Sequence, residues 1–189
     1  MRMRSSATTA VVMVAVAGCA PGPQGAPSSS GAPPGRGYVS EAKNAVLRTT
    51  PPPWDAPFPV RPQIDAAGME RLPFNFDGPQ PYTVTVVVTV DGRTVPIPPQ
   101  IGLDQEHAEQ GSVHTHIENA DRGIVAVEAK TAQERPTLKQ FFTLWGLRYD
   151  QRCLGGVCGT VEVEVDDEPA PWDAPMQRDT TIEVTVTGS

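Results

Sequence analysis

YTVTVVVTVDGRTV, residues 82–95, is the stretch that decides the fold. Val84, Val86, Val88 and Val90 alternate with Thr85 and Thr89, the period of a strand with one buried face and one wet face. Asp91-Gly92 then offers the dipeptide that closes tight hairpins, leading into Thr94-Val95-Pro96-Ile97. The same alternation returns twice. Val161, Val163 and Val165 alternate with Glu162 and Glu164, and Ile182, Val184 and Val186 alternate with Thr181, Glu183 and Thr185. Val113 to Ile117 and Gly123 to Ala129 are two further candidate strands joined by a polar loop.

One helix breaks the run of strands. Pro136 suits a first helical turn, and Leu138, Phe141, Phe142 and Trp145 recur at three- and four-residue spacing before Gly146 ends it. The expectation is a β-rich α+β domain: a small sheet of about five to seven strands with one short helix packed on it.

Upstream the composition changes. Arg2 and Arg4 precede an apolar and small-residue run, Ser5 to Val16, too short to span a bilayer. The run ends in Val16-Ala17-Gly18-Cys19. This resembles the bacterial lipoprotein signal, in which small residues admit the peptidase and the cysteine thiol accepts diacylglycerol. Residues 1–18 are then a signal peptide, and Cys19 is a lipidated, palmitate-bearing N-terminus holding the protein on the extracytoplasmic face of the cell membrane. After Cys19, residues up to 37 are almost all Pro, Gly, Ala and Ser, which lack the apolar surface to offset the entropy of folding, so 19–37 reads as a lipidated cysteine and a disordered tether.

Residues 38–78 read as a Pro-rich arm, with a short helix from Tyr38 to Thr50 capped by Ser40, and with Trp54, Phe58 and Phe74 as anchors. The globular domain is expected over 79–189. The pentapeptide PWDAP occurs at 53–57 and again at 171–175 without other similarity around it, which reads as two Trp-bearing loops.

The full chain of 189 residues carries 15 basic and 22 acidic side chains. Loss of Arg2 and Arg4 with the signal would leave 13 against 22, a formal charge of −9. That balance disfavours nucleic acid and anionic lipid as partners, since both need a basic surface. It leaves the lipid-anchored membrane and a protein or small-ligand partner.

Cys153 and Cys158 flank Leu-Gly-Gly-Val, a loop that reads as a hairpin turn bringing the two thiols together. In an oxidising compartment a disulfide is the expectation. The rivals are a thiolate pair on a soft metal and an active redox couple. Two thiolates leave a tetrahedral site half filled, and redox pairs usually have two intervening residues at a helix start.

SVHTHIENADRGIVAVEA, residues 112–129, holds two of the three histidines. On a strand, His114, His116 and Glu118 would share a face, with Val113, Thr115 and Ile117 on the other. A His-x-His pair can chelate one ion, and His107, Asp121 or Glu128 could add ligands, a donor set suited to Zn²⁺ or Cu²⁺. Imidazole beside carboxylate equally suits acid–base chemistry.

The segments HTH, GIVAVEA, RPTLKQFFTLWGLRYDQRCLGGVCG and TVEVEVDD, together with VDGRTVPIPPQIG at 90–102, are similar to a family of bacterial extracytoplasmic proteins of unassigned function. Its pattern is an HTHD-type motif, a GIIHIE-like strand, a TLGQFF-x-x-WG helix and a CIGGYC-like turn, here covering roughly residues 80 to 187. The resemblance matches His114 and His116 to the paired histidines and Glu128 to the glutamate of the second strand. It departs where the family's second-strand histidine falls on Ala126, where the upstream strand is Tyr82-Thr-Val-Thr-Val-Val-Val without histidines, and in a longer loop from Ile117 to Arg122. A family site built on those histidines would here keep fewer ligands.

Three functions follow. One is a tethered, non-catalytic binding or structural domain, consistent with the absence of a Gly-x-Ser-x-Gly, phosphate-loop or His-Glu-x-x-His motif. The second is a Zn- or Cu-binding lipoprotein using His114, His116, Glu128, His107 and Glu118. The third is a metal-dependent enzyme with Glu118 or Glu128 as base.

Overall fold

The computed structural model describes residues 45–189. The expected signal peptide, Cys19, the tether and the first part of the Tyr38–Thr50 helix lie outside the described residues. Among the described residues, no helix is long and apolar enough to cross a membrane.

Short elements open the chain: α1 (Arg61–Ala66), β1 (Leu72–Pro73), β2 (Tyr82–Val90), β3 (Arg93–Val95), β4 (Leu103–Asp104) and β5 (Glu109–Gln110). There follow β6 (Val113–His114), a 3₁₀ turn (Ala120–Arg122), β7 (Ile124–Val127) and α2 (Leu138–Leu144). The chain closes with β8 (Tyr149–Asp150), β9 (Cys153–Leu154), β10 (Val157–Val165), β11 (Glu168–Pro169) and β12 (Thr181–Gly188).

The fold is β-rich α+β. The main sheet runs β6-β7-β2-β12-β10-β9-β8, with β3 paired to β2 and β11 to β10, and a small second sheet runs β1-β5-β4. All pairings in the main sheet are antiparallel except β2 with β12.

The valines of residues 82–95 behave as their period requires. Val84, Val86, Val88 and Val90 are buried, while Thr83, Val87 and Thr89 keep some exposure on the other face. Asp91 and Gly92 both take positive φ, as the tight turn into β3 demands. Ile182, Val184 and Val186 of β12 join the same core.

Helix α2 lies on that core through Leu138, Phe141, Phe142 and Leu144, all fully buried. Its start is fixed by a capping box in which Thr137 and Gln140 each accept from the other's backbone N–H.

The two PWDAP loops meet the ends of one aromatic row. Trp54 packs edge-on against Trp145 at 5.9 Å, Trp145 stacks on Phe142, Phe142 touches Tyr149 at 4.5 Å, and Tyr149 meets Trp172 at 5.5 Å. The repeat therefore marks two loops that close opposite ends of a shared stripe.

Residues 45–78 do not form an arm outside the domain. Trp54, Val60, Ile64, Ala67 and Met69 are buried in the common core, and Leu72 is buried outside it. The second helix, α1, arises here, with proline at its start and Ile64 fully buried. An Arg61–Glu109 ion pair at 2.9 Å ties it to β5.

Of the expected anchors only Trp54 is buried. Phe58 is 84% exposed and Phe74 37%, because Phe58 stands on the bend leading into α1 while Val60 and Ile64 take the inward positions. Residues 45–50 carry no helix. There Arg48 is engaged by Leu147 in a parallel bridge, with its N–H donating to the Gly146 carbonyl at 2.8 Å. Backbone committed to a neighbouring segment cannot close a helical turn.

The cysteine turn is the hairpin between β9 and β10, where Cys153 and Cys158 pair directly across the strands. Their Sγ atoms are at disulfide distance, 2.14 Å.

Candidate metal centre

The site is built at the β6 end of the main sheet. His114 pairs across the ladder with Ala126, and Val113 with Val127. The Glu128 N–H donates to the Ser112 carbonyl at 2.8 Å, carrying the pairing one step past β7. Val113, Val125 and Val127 are buried on the core face. The pleat therefore sends His114, Ala126 and Glu128 to the opposite face.

The strand reading of residues 113–117 ends early. Thr115 is fully buried, and its hydroxyl donates to the Pro98 carbonyl at 2.8 Å and accepts from the Ile101 N–H at 3.0 Å. Its own N–H donates to the Ile101 carbonyl at 3.1 Å. After this anchor the chain turns, and the His116 carbonyl accepts from Asn119 and Ala120. That turn folds His116 back over His114 instead of leaving it two residues along a flat strand.

The Nε2 atoms of His114 and His116 are 3.1 Å apart, with ring planes at 88°. Glu128 Oε1 is 3.8 Å from His114 Nε2. One ligand atom from each of the three residues lies within 4.8 Å of the others. His114 is fully buried, Glu128 is half-buried and His116 is exposed.

Neighbouring groups orient two of the three. His114 Nδ1 lies 3.3 Å from the Gly111 carbonyl, a contact that requires the proton on Nδ1 and leaves Nε2 with its lone pair facing His116. Gly102 sits over the same histidine with φ of +73°, and a Cβ there would fall 2.4 Å from the Val113 carbonyl and 3.3 Å from His114 Cβ. The approach needs glycine on both counts. Gln110 Nε2 donates to Glu128 Oε2 at 2.6 Å and to the Phe76 carbonyl at 3.0 Å, turning Oε1 toward the histidines.

Burial, and then the proximity of His116, push the His114 pKa down to about 4. Its contact with Glu128 is therefore neutral imidazole beside carboxylate at neutral pH, and at 3.8 Å it is longer than a hydrogen bond. Burial raises the Glu128 carboxyl, Asp77 adds to the rise, and the Gln110 hydrogen bond and His116 act against it.

A tetrahedral Zn²⁺ with bonds of about 2.05 Å places two donor atoms ~3.3 Å apart. The two imidazoles are close to that separation, and the carboxylate, 3.8 Å from one of them within a group spanning up to 4.8 Å, would have to move inward to join them. The group borders a cleft of about 320 Å³ lined by Tyr82, Thr83, Asn119, Ile124 and Ala126 along with His116 and Glu128. A fourth ligand would enter from there.

His107 and Glu118 are not in this group. His107 lies between β4 and β5, where Nδ1 meets Asp104 Oδ2 at 3.0 Å. Glu118 stands exposed on the turn after His116, because the strand that would have aligned it with the histidines stops at His114. Asp121 falls on the 3₁₀ turn, also outside the group. Sequence reading missed Gln110 and the Gly111 carbonyl. Neither carries a local signal, since each acts through a contact with a strand later in the chain or a ring three residues on.

Comparison with known proteins finds no matching family, no similar curated protein and no similar solved structure.

Proposed function

We propose that this chain is a lipid-anchored extracytoplasmic protein whose folded domain holds one transition-metal ion, Zn²⁺ or Cu²⁺, on His114, His116 and Glu128. The observation that carries the reading is the 3.1 Å separation of the two Nε2 atoms with a carboxylate oxygen 3.8 Å from one of them. Borderline metals favour imidazole with carboxylate, and a neutral buried imidazole needs no proton removed before it binds. The anchor rests on Val16-Ala17-Gly18-Cys19 and the Pro/Gly/Ser tether.

The metal reading is preferred to a metal-free binding domain because a solvated, merely decorative His-x-His pair has no reason to bury one ring and fold the other over it. A metal-dependent enzyme is the second reading, favoured by one feature: three protein ligands with a fourth position toward a cleft is the arrangement of catalytic zinc. Glu128 would then be a ligand, and Glu118 is not in the group to serve as base. Metal holding without turnover is accordingly the main proposal.

The test is calorimetric titration of the full chain carrying Cys19→Ser with Zn²⁺ and Cu²⁺, repeated with His114→Ala/His116→Ala. Micromolar or tighter one-to-one binding lost in the double variant is the expected result. Binding weaker than millimolar, or indifferent to the double variant, overturns it. The anchor is tested separately: Cys19 should carry acyl chains by mass spectrometry, and Cys19→Ser should leave the membrane fraction.

A further inference from the structure

A second cleft, of about 280 Å³, shares Tyr82 with the cleft beside the histidine group. Its polar lining is Gln80, Tyr82, Thr131, Arg135, Gln177 and Arg178, and alanine supplies the rest. No carboxylate lines it, in a chain with 22 acidic against 15 basic residues. Neither Arg135 nor Arg178 has a carboxylate within ion-pair distance among the described residues. Arg48, Arg93, Arg122 and Arg152 also lack one, and what sets this pair apart is that both guanidiniums line one concave surface without a carboxylate in its lining.

Both arginines are held by backbone rather than by charge. Arg178 donates to the Pro81 carbonyl at 3.0 Å and the Gln80 carbonyl at 3.1 Å, and its guanidinium lies 5.1 Å from the centre of the Tyr82 ring. Arg135 donates through one nitrogen to the Ala132 and Glu134 carbonyls at 2.6 and 2.8 Å. Each fork keeps further N–H donors unused by these contacts. Both charges act on the Tyr82 hydroxyl, which itself donates to the Met176 carbonyl at 2.8 Å. Glu134, next to Arg135 in the chain, has its carboxylate accepting from the Lys130 N–H at 3.2 Å.

We propose that this cleft binds the oxyanion group of a small molecule, a phosphate or a carboxylate, between Arg135 and Arg178. Guanidinium forks match both groups, and the glutamine amides and Thr131 supply the neutral hydrogen bonds such a group also takes. The volume suits a small anion and not a polymer. The site stands independently of any metal on the histidines.

The experiment is calorimetric titration of the full Cys19→Ser chain, without added metal and at fixed ionic strength, with inorganic phosphate in one arm and succinate in the other. Saturable one-to-one binding in at least one arm is expected, and the preferred arm assigns the group. Arg135→Gln is the decisive variant, because the exposed Arg135 makes only local hydrogen bonds and its loss should spare the fold. It should weaken binding about tenfold, the size of one charge-assisted hydrogen bond. Arg93→Gln, a change of equal charge on β3, should leave the affinity within about twofold. Heats that do not saturate in either arm, unchanged affinity in Arg135→Gln, or an equal loss in Arg93→Gln each overturn the proposal.

Discussion

The Nε2 atoms of His114 and His116 face each other at 3.1 Å although one ring is fully buried and the other exposed. Two neutral imidazoles can hold that contact as a single hydrogen bond, with His116 donating. With a metal present both lone pairs would turn to the ion. The same geometry thus serves the free and the loaded protein with little rearrangement, which keeps the ordering cost of binding small.

The asymmetric burial separates the two substitutions. His114→Ala empties a packed position under Gly102 and strands the Gly111 carbonyl, and should cost ~2 kcal/mol or more in urea unfolding. His116→Ala removes an exposed ring and should stay within about 0.5 kcal/mol of the parent. Both should abolish tight metal binding. Equal stability losses would mean that His116 is a packing residue.

Acid should weaken the metal-free protein through His114. Its pKa is about 4 when folded, against 6.5 for an unperturbed histidine, so between those values the unfolded chain binds the extra proton. Stability from this group is complete above pH 6.5 and is lost as pH falls toward 4, a change on the order of 3 kcal/mol. Glu128 works in the opposite sense, because its raised carboxyl keeps its proton to higher pH in the fold than out of it, adding stability as pH falls. Urea unfolding across this window should show a slope that His114→Gln flattens and Glu128→Gln steepens.

Gln110 should matter to the metal without touching it. Its amide fixes Glu128 Oε2 and leaves Oε1 aimed at His114. Gln110→Ala should lower metal affinity roughly 10- to 100-fold, as loss of a group that orients a ligand does. Gln110→Glu should be worse than Ala, since a second carboxylate would repel Glu128. Competition with a chromogenic chelator measures both.

The strands and α2 were legible in the sequence because their residues repeat at period two or at three- and four-residue spacing over whole elements. Val84 to Val90 and Ile182 to Val186 each declare a buried face without help from the rest of the chain, and Val161 to Val165 one that is buried at Val163 and half-buried on either side. Residues 45–78 did not, since prolines mask the burial of Trp54, Val60 and Ile64, and α1 has no side-chain cap to announce it. In the site, His114 and His116 were visible as a pair, but their true relation was not. A period of two puts them side by side on a strand, whereas Thr115, pinned to the Pro98 and Ile101 backbone, ends the strand and folds one ring onto the other. That event is tertiary, set by a loop more than ten residues away in sequence, and no local pattern encodes it.

Ala126 offers the sharpest test of the metal geometry. It stands directly across the ladder from His114, on the face shared with Glu128, and lines the cleft where a fourth ligand would enter. Directly opposed residues have Cβ atoms about 5 Å apart, so an imidazole at 126 can reach the same ion as His114. Thr83 is its neighbour on β2 and is small enough to leave room. Ala126→His should therefore complete a tetrahedral set and tighten Zn²⁺ binding at least tenfold, about 1.4 kcal/mol. The same change should close the open position, so Co²⁺-loaded protein should lose its spectral response to added azide. If affinity instead falls, the ion does not sit on the His114–Glu128 face of the sheet, and the three-ligand centre is wrong in its geometry.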